Sequence, residues 1–181
     1  MSRQALLLHL VENALRTDGP FTLRSGQVSS WYLDARQTTF DGQGAVLVGE
    51  TVLGLMDPTA VAVGGMTMGA DPIAVATAIA GARAGRPLRA FSIRKEAKDH
   101  GTGGRVVGPV QAGDRVTVVE DTTTTGSAAL EAFEALRAEG VEVVQVIALV
   151  DRSGGAARER FETAGVPFVG VFGVADLGVE G

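Results

Sequence analysis

From residue 60 onward, short apolar runs rich in β-branched residues alternate with segments of helical pattern, and this alternation most constrains what the chain can fold into. Residues 60–63, 88–93, 115–120, 141–150 and 168–172 read as strands. Residues 71–83, 126–139 and 156–164 read as the helices between them. Strands apolar on both faces belong in a sheet covered on both sides, so the expected class is α/β with a mostly parallel central sheet flanked by helices. In such sheets ligands sit beyond the carboxyl ends of the strands, which makes the polar residues after each strand the candidates. The first 40 residues depart from the pattern. A helix over 2–16 is stopped by Gly19-Pro20, and strands at 21–23 and 31–34 flank a turn at Ser25-Gly26. Asp41 is placed to cap a helix over 42–56 that Asp57-Pro58 ends.

Length and composition narrow the function classes. At 181 residues the chain amounts to a single domain, with a small N-terminal hood over about 1–40 and a core over about 41–181. The absence of Cys excludes disulfides, thiolate zinc sites, iron–sulfur clusters and cysteine nucleophiles. A net charge of −5 gives no global drive toward nucleic acid. No apolar run approaches the roughly 18 residues of a membrane helix. The stretch 5–11 is short, holds His9 and meets Glu12, which argues against a secretory signal. A soluble cytoplasmic protein is expected.

Two segments carry chemistry. In the first, the strand at 115–120 ends on Glu120 and Asp121, followed by Thr122, Thr123, Thr124, Thr125, Gly126, Ser127 and Ala128 at the start of a helix. A turn feeding a helix N-terminus presents unpaired N–H groups and the positive dipole end, which suits phosphate. The two carboxylates would repel that phosphate unless they face ribose hydroxyls or Mg²⁺. A plain N-cap cluster is the bland alternative, but the full strand–acid–acid–threonine–glycine–helix order is more specific. It is not a Walker A loop, because no Gly-Lys-Ser/Thr occurs.

In the second, Arg94-Lys95-Glu96-Ala97-Lys98-Asp99-His100 precedes the glycine-rich run 101–104, inside a polar stretch (about 94–114) long for a connection. Lys95 and Lys98 are the only lysines among 16 Lys+Arg residues. A compact ammonium is not interchangeable with guanidinium. The segment suits a loop that closes over a polyanion and neutralises a departing leaving group, against the alternative of a solvated charged loop.

The acid–threonine–glycine turn resembles the phosphoribosyl diphosphate (PRPP) signature of type I phosphoribosyltransferases. The 94–101 loop is similar to the catalytic loop of the orotate phosphoribosyltransferase branch. Phe21-Thr-Leu-Arg-Ser-Gly26 and Val150-Asp-Arg152 agree, in the same order along the chain. The resemblance implies transfer of the phosphoribosyl group from PRPP to orotate with Mg²⁺, giving orotidine 5′-monophosphate and diphosphate in pyrimidine biosynthesis. Glu120 and Asp121 would hold the ribose hydroxyls, and residues 122–128 would cradle the 5′-phosphate. Arg94, Lys95, Lys98 and His100 would contact the diphosphate, partly across a homodimer interface. Asp121 counts with Lys95, Lys98 and His100 as catalytic. Thr124, Arg152, Arg24, Tyr32 and Leu33 would form the orotate pocket, with Arg152 near the carboxylate. No direct metal ligand is implied, since Mg²⁺ would arrive mainly on PRPP. The chain departs from the pattern by lacking a lysine in 64–71, by Glu-Asp in place of Asp-Asp, and by Arg24 in place of Lys.

Some single residues read more plainly. His9 suits packing or a dimer contact, Met66 and Met68 fill a loop, Trp31 anchors the hood or stacks a base, and Asp34 with Arg36 suggests a surface pair. Three rivals remain at this level. A purine or uracil phosphoribosyltransferase has no use for the Lys/His loop, a nucleic-acid-binding PRPP regulator would want a basic face, and a plain nucleotide-binding module needs no cationic flap.

Overall fold

The computed structural model describes residues 2–22, 26, 28–96 and 104–179. Helix α1 (Ser2–Asn13) buries Leu6 and Leu10, one turn apart, and stops before the strand-like 15–16 that its predicted span had included. Four two-residue strands follow: β1 (Leu15–Arg16), β2 (Phe21–Thr22), β3 (Val28–Ser29) and β4 (Tyr32–Leu33). β2 pairs antiparallel with β3, and β1 with β4. The strands expected to flank the 25–26 turn therefore do not face each other. The turn closes on 28–29, and 32–33 turns back to the end of α1. A single turn, α2 (Arg36–Thr39), escapes any apolar pattern because it is so short. Helix α3 (Gly42–Leu55) starts as its cap predicts, with the Asp41 carboxylate accepting from the N–H groups of Gln43 and Gly44 at 2.9 Å each. His9 ties α1 to this cap, with Nδ1 3.2 Å from Thr38 Oγ1 and Nε2 3.1 Å from Asp41 Oδ1.

The core alternates β5 (Ala62–Met66), α4 (Ala70–Arg83), β6 (Arg89–Ile93), β7 (Val106–Val107), β8 (Arg115–Thr123), α5 (Ser127–Ala138), β9 (Glu142–Asp151), α6 (Ala156–Thr163) and β10 (Phe168–Gly173), with a closing 3₁₀ turn at Val174–Leu177. The six strands lie in the order β10-β9-β8-β5-β6-β7. All neighbours are parallel except β7, which runs antiparallel to β6. The stretch 94–114 is thus not wholly a loop, because its far side returns to the sheet edge as β7.

Successive strand residues serve opposite faces. Val119, Ile147 and Leu149 join Leu6, Leu10, Val48, Val52 and Ile73 on the face covered by α1, α3 and α4. Val118, Val146 and Ala148 join Leu136, Phe161 and Phe168 on the face covered by α5 and α6. Since α4 lies on one face and α5 on the other, the crossovers leaving β5 and β8 diverge, and a crevice opens beyond their carboxyl ends. No helix among the described residues is long and apolar enough to cross a membrane.

Candidate active site

The crevice between β5 and β8 is where the topology places ligands, and both chemical segments reach it. β8 continues three residues past its predicted end, so both acids belong to the strand, with Glu120 in register with Ala148 and Thr123 with Asp151. Glu120 is buried and Asp121 partly so. Beyond them the chain turns on Gly126, whose φ of +73° is left-handed, and whose added Cβ would lie 3.1 Å from the Phe161 ring. Buried Thr123 braces the turn from inside, its Oγ1 accepting from the Gly126 N–H at 3.0 Å. Thr124, Thr125, Ser127 and Ala128 are exposed on the outer side. The Thr125 and Ser127 hydroxyls lie 2.9 Å apart, the Ser127 N–H donates to Thr125 Oγ1 at 3.3 Å, and the Ala129 N–H at the start of α5 hydrogen-bonds the Glu120 carboxylate. Exposed hydroxyls at the positive end of a helix suit an anion.

Beside the acids is a cavity of about 300 Å³ lined by Met66, Thr67, Gly69, Lys95, Asp121 and Glu131, among others. The 67–69 turn after β5 passes directly under Asp121, because a Cβ at Gly69 would fall 2.6 Å from its Oδ1. Thr67 Oγ1 donates to Asp71 Oδ2 at 2.7 Å, which fixes this turn on the start of α4. Lys95 is the cation that the described part of the charged loop brings to the cavity. Arg94 is held by its backbone instead: its N–H donates to the Arg105 carbonyl at 2.9 Å, and Arg105 Nε donates to the Arg94 carbonyl at 2.8 Å. The Arg105 guanidinium also pairs with Glu131 on α5. Lys98, His100 and Arg24 lie outside the described residues.

Burial sets the electrostatics. It pushes the Glu120 carboxyl up to about 7, with the Thr123 hydroxyl offsetting this in part, and Glu120 Oε2 has no hydrogen-bond partner among the described residues. Asp121 is also raised, mainly by burial, although its Oδ1 accepts from the Thr122 N–H at 2.8 Å. The Asp34–Arg36 pair, 2.7 Å apart, is more than a surface ornament. Arg36 attracts Asp121 and Asp34 repels it, so the hood contributes to the field at the acids.

A second group of polar side chains gathers where β8 and β9 end together. The Arg152 N–H donates to the Thr123 carbonyl at 2.8 Å, which sets Arg152 next to Thr124. Its guanidinium carbon lies 4.4 Å from the centre of the Trp31 ring. Partial burial lowers its pKa, and among the described residues no carboxylate pairs with it. Tyr32 is 38% exposed and lies near Arg152, whereas Leu33 is 5% exposed and packs into the apolar core. Sequence reasoning did not single out Thr67, Gly69, Arg105 or Glu131. The glycine-rich 64–71 loop after a strand was a usable signal for the first two. Arg105 and Glu131 are partners 26 residues apart, and no local pattern joins them.

No protein-family model matches the chain. An orotate phosphoribosyltransferase of Streptomyces avermitilis is 48% identical over 179 residues, covering 98% of each chain. The crystal structure of Mycobacterium tuberculosis orotate phosphoribosyltransferase with Fe(III) dicitrate superposes with a TM-score of 0.89 at 40% identity, covering 99% of this chain and 100% of that one. The same enzyme in complex with PRPP gives a TM-score of 0.83 at 37% identity, with the same coverage.

Proposed function

The chain belongs to the orotate phosphoribosyltransferase family, and we propose that its Glu120–Ala128 segment holds PRPP while Arg152, Thr124, Tyr32 and Arg24 receive orotate. The reaction is transfer of the 5-phosphoribosyl group from PRPP to orotate, giving orotidine 5′-monophosphate and diphosphate in pyrimidine synthesis. What best supports this allocation is the pairing of an exposed, hydroxyl-rich helix start with a half-buried guanidinium that no carboxylate among the described residues neutralises. The first suits a phosphate and the second a carboxylate, and orotate offers a carboxylate.

In the mechanism, the exposed hydroxyls and N–H groups of 124–128 grip the 5′-phosphate, and Glu120 with Asp121 accept hydrogen bonds from the ribose hydroxyls. Lys95, and with it Lys98 and His100, stabilises the charge that grows on diphosphate as the anomeric C–O bond stretches, with His100 donating a hydrogen bond or proton. Closing the 94–104 segment over PRPP excludes the water that would hydrolyse it. No covalent nucleophile is needed. Glu120 and Asp121, two adjacent carboxylates with one Glu120 oxygen lacking a hydrogen-bond partner among the described residues, offer oxygen ligands of the kind a divalent cation takes. Mg²⁺ bound there would neutralise diphosphate charge.

A homodimer follows from the same reading, with part of the cationic loop serving the second copy's PRPP. The α3–α4 face suits that contact. It has a cavity of about 610 Å³ lined by Ala45, Val46, Leu53, Ala76 and Ile79, with Glu50 and Arg83 available to pair across a two-fold axis. Light scattering should give twice the chain mass, and Ile79→Arg should yield monomers. A single domain with its hood over about 1–40 suits this assembly, and a Cys-free chain suits the cytoplasm.

The deciding assay offers orotate, uracil, adenine and hypoxanthine in parallel with PRPP and Mg²⁺. Orotate alone should be consumed, with diphosphate released. Consumption of another base would keep the cradle and discard the Arg152 pocket.

A further inference from the structure

Arg152 bears its charge on a long, flexible stem, yet reading a carboxylate requires a guanidinium of fixed plane and direction. What supplies that fixity is on the hood. The Trp31 ring faces the guanidinium carbon at 4.4 Å, within the range of a cation–π contact. The ring itself is firmly held. Trp31 is only 6% exposed and belongs to the apolar core with Leu6, Leu10 and Leu33. Its backbone is locked by Ser29, whose hydroxyl donates to the Trp31 carbonyl at 2.8 Å and accepts from the Trp31 N–H at 3.3 Å. The next two residues form β4 and pair with β1. Arg152, for its part, is fixed at the backbone by the Thr123 carbonyl and free of carboxylate partners among the described residues. A π face holds one side of a guanidinium while consuming none of its N–H donors, so the in-plane edge stays available to a ligand carboxylate.

We propose that Trp31 is a positioning residue for substrate selection, its indole face holding the Arg152 guanidinium in the orientation that receives the carboxylate of the base. This rests on the allocation of Arg152 to orotate made above. It implies that recognition of the base is completed by the hood, not by the sheet alone, and that Trp31 acts on orotate affinity and not on PRPP.

Trp31 is the only tryptophan in the chain, so it can be replaced throughout by fluorinated tryptophans without altering any other residue. Each added fluorine weakens the negative ring face while leaving shape and packing nearly unchanged. KM for orotate should rise stepwise with fluorination, whereas KM for PRPP should stay constant. Trp31→Leu should raise KM for orotate about 3- to 30-fold, the equivalent of one cation–π contact, and Trp31→Phe should retain most of the affinity. In an Arg152→Ala background, Trp31→Leu should add nothing further. Constant KM values across the fluorinated series, with Arg152→Ala still raising KM for orotate, would overturn the role of Trp31 and leave the base pocket standing. An unchanged KM for orotate in Arg152→Ala would instead overturn the pocket itself. Equal loss of orotate and PRPP affinity in Trp31→Leu and Trp31→Phe would mark the ring as mere packing.

Discussion

The phosphate side and the base side of the crevice are built by different means. The phosphate side is one continuous stretch, from Glu120 to Ala128, in which strand, turn and helix start follow one another and the turn's own side-chain hydrogen bonds span two or three residues. The base side joins residues more than a hundred positions apart, Trp31 from the hood and Arg152 from the end of β9, through a ring face and a guanidinium. On the allocation proposed above, backbone geometry would carry the grip on PRPP, and a few side chains the choice of base. Mutations should separate the two sides.

The largest effect expected belongs to neither side but to the leaving group. Lys98→Ala should lower kcat by about 10²–10³, the range for one preorganised transition-state contact, with single-turnover rates as the check. Next comes the buried acid. A carboxyl raised from the ordinary 4.5 to about 7 binds its proton more tightly in the folded than in the unfolded chain. The ligand-free protein should then lose stability as pH rises from about 4.5 through 7, by up to about 3 kcal/mol, and Glu120→Gln should flatten that stretch. Denaturant titrations from pH 4.5 to 8 measure it, and a flat profile in the unmutated protein would refute the buried-acid assignment. Asp121 leaves a residual slope of the same sign.

Arg152→Ala should raise KM for orotate about 10- to 100-fold, as expected for a charged hydrogen-bonding partner, with KM for PRPP nearly unchanged. Steady-state kinetics with each substrate varied would break the comparison if both constants rose together. The smallest effect is at the turn. Gly126→Ala forces a left-handed φ on a residue with a Cβ, costing about 1–2 kcal/mol, and should weaken PRPP binding while sparing orotate. Calorimetric titration with PRPP tests this directly.

The same contrast explains what the sequence made legible. The cradle could be read because its determinants are adjacent, and the sheet because five continuous apolar runs alternate with segments of helical pattern. Boundaries moved, as where β8 carries on through Asp121 to Thr123, and the edge strand β7, two residues inside the polar 94–114 stretch, was too short to show as an apolar run. The hood was harder. Strands of two residues hold no periodicity, and the pairing of Leu15 with Leu33 is settled by packing that no short window contains. Arg105 was invisible for a related reason, since its partners Arg94 and Glu131 come from a sheet edge and a helix that meet only in three dimensions. The Asp34–Arg36 pair was visible, but its proximity to Asp121 was not.

The mutual hydrogen bonds of Arg94 and Arg105 have a consequence for how this chain can change over generations. The excursion between them leaves and rejoins the sheet at the same rung, with Arg94 bonded to Arg105 and Ile93 in register with Val106. Residues gained or lost between those two points leave every strand in register. Closing a loop of twice the length costs only about 0.6 kcal/mol more. The stretch that bears Lys98 and His100 is thereby held to its length and composition by chemistry alone, since the scaffold's register does not depend on it.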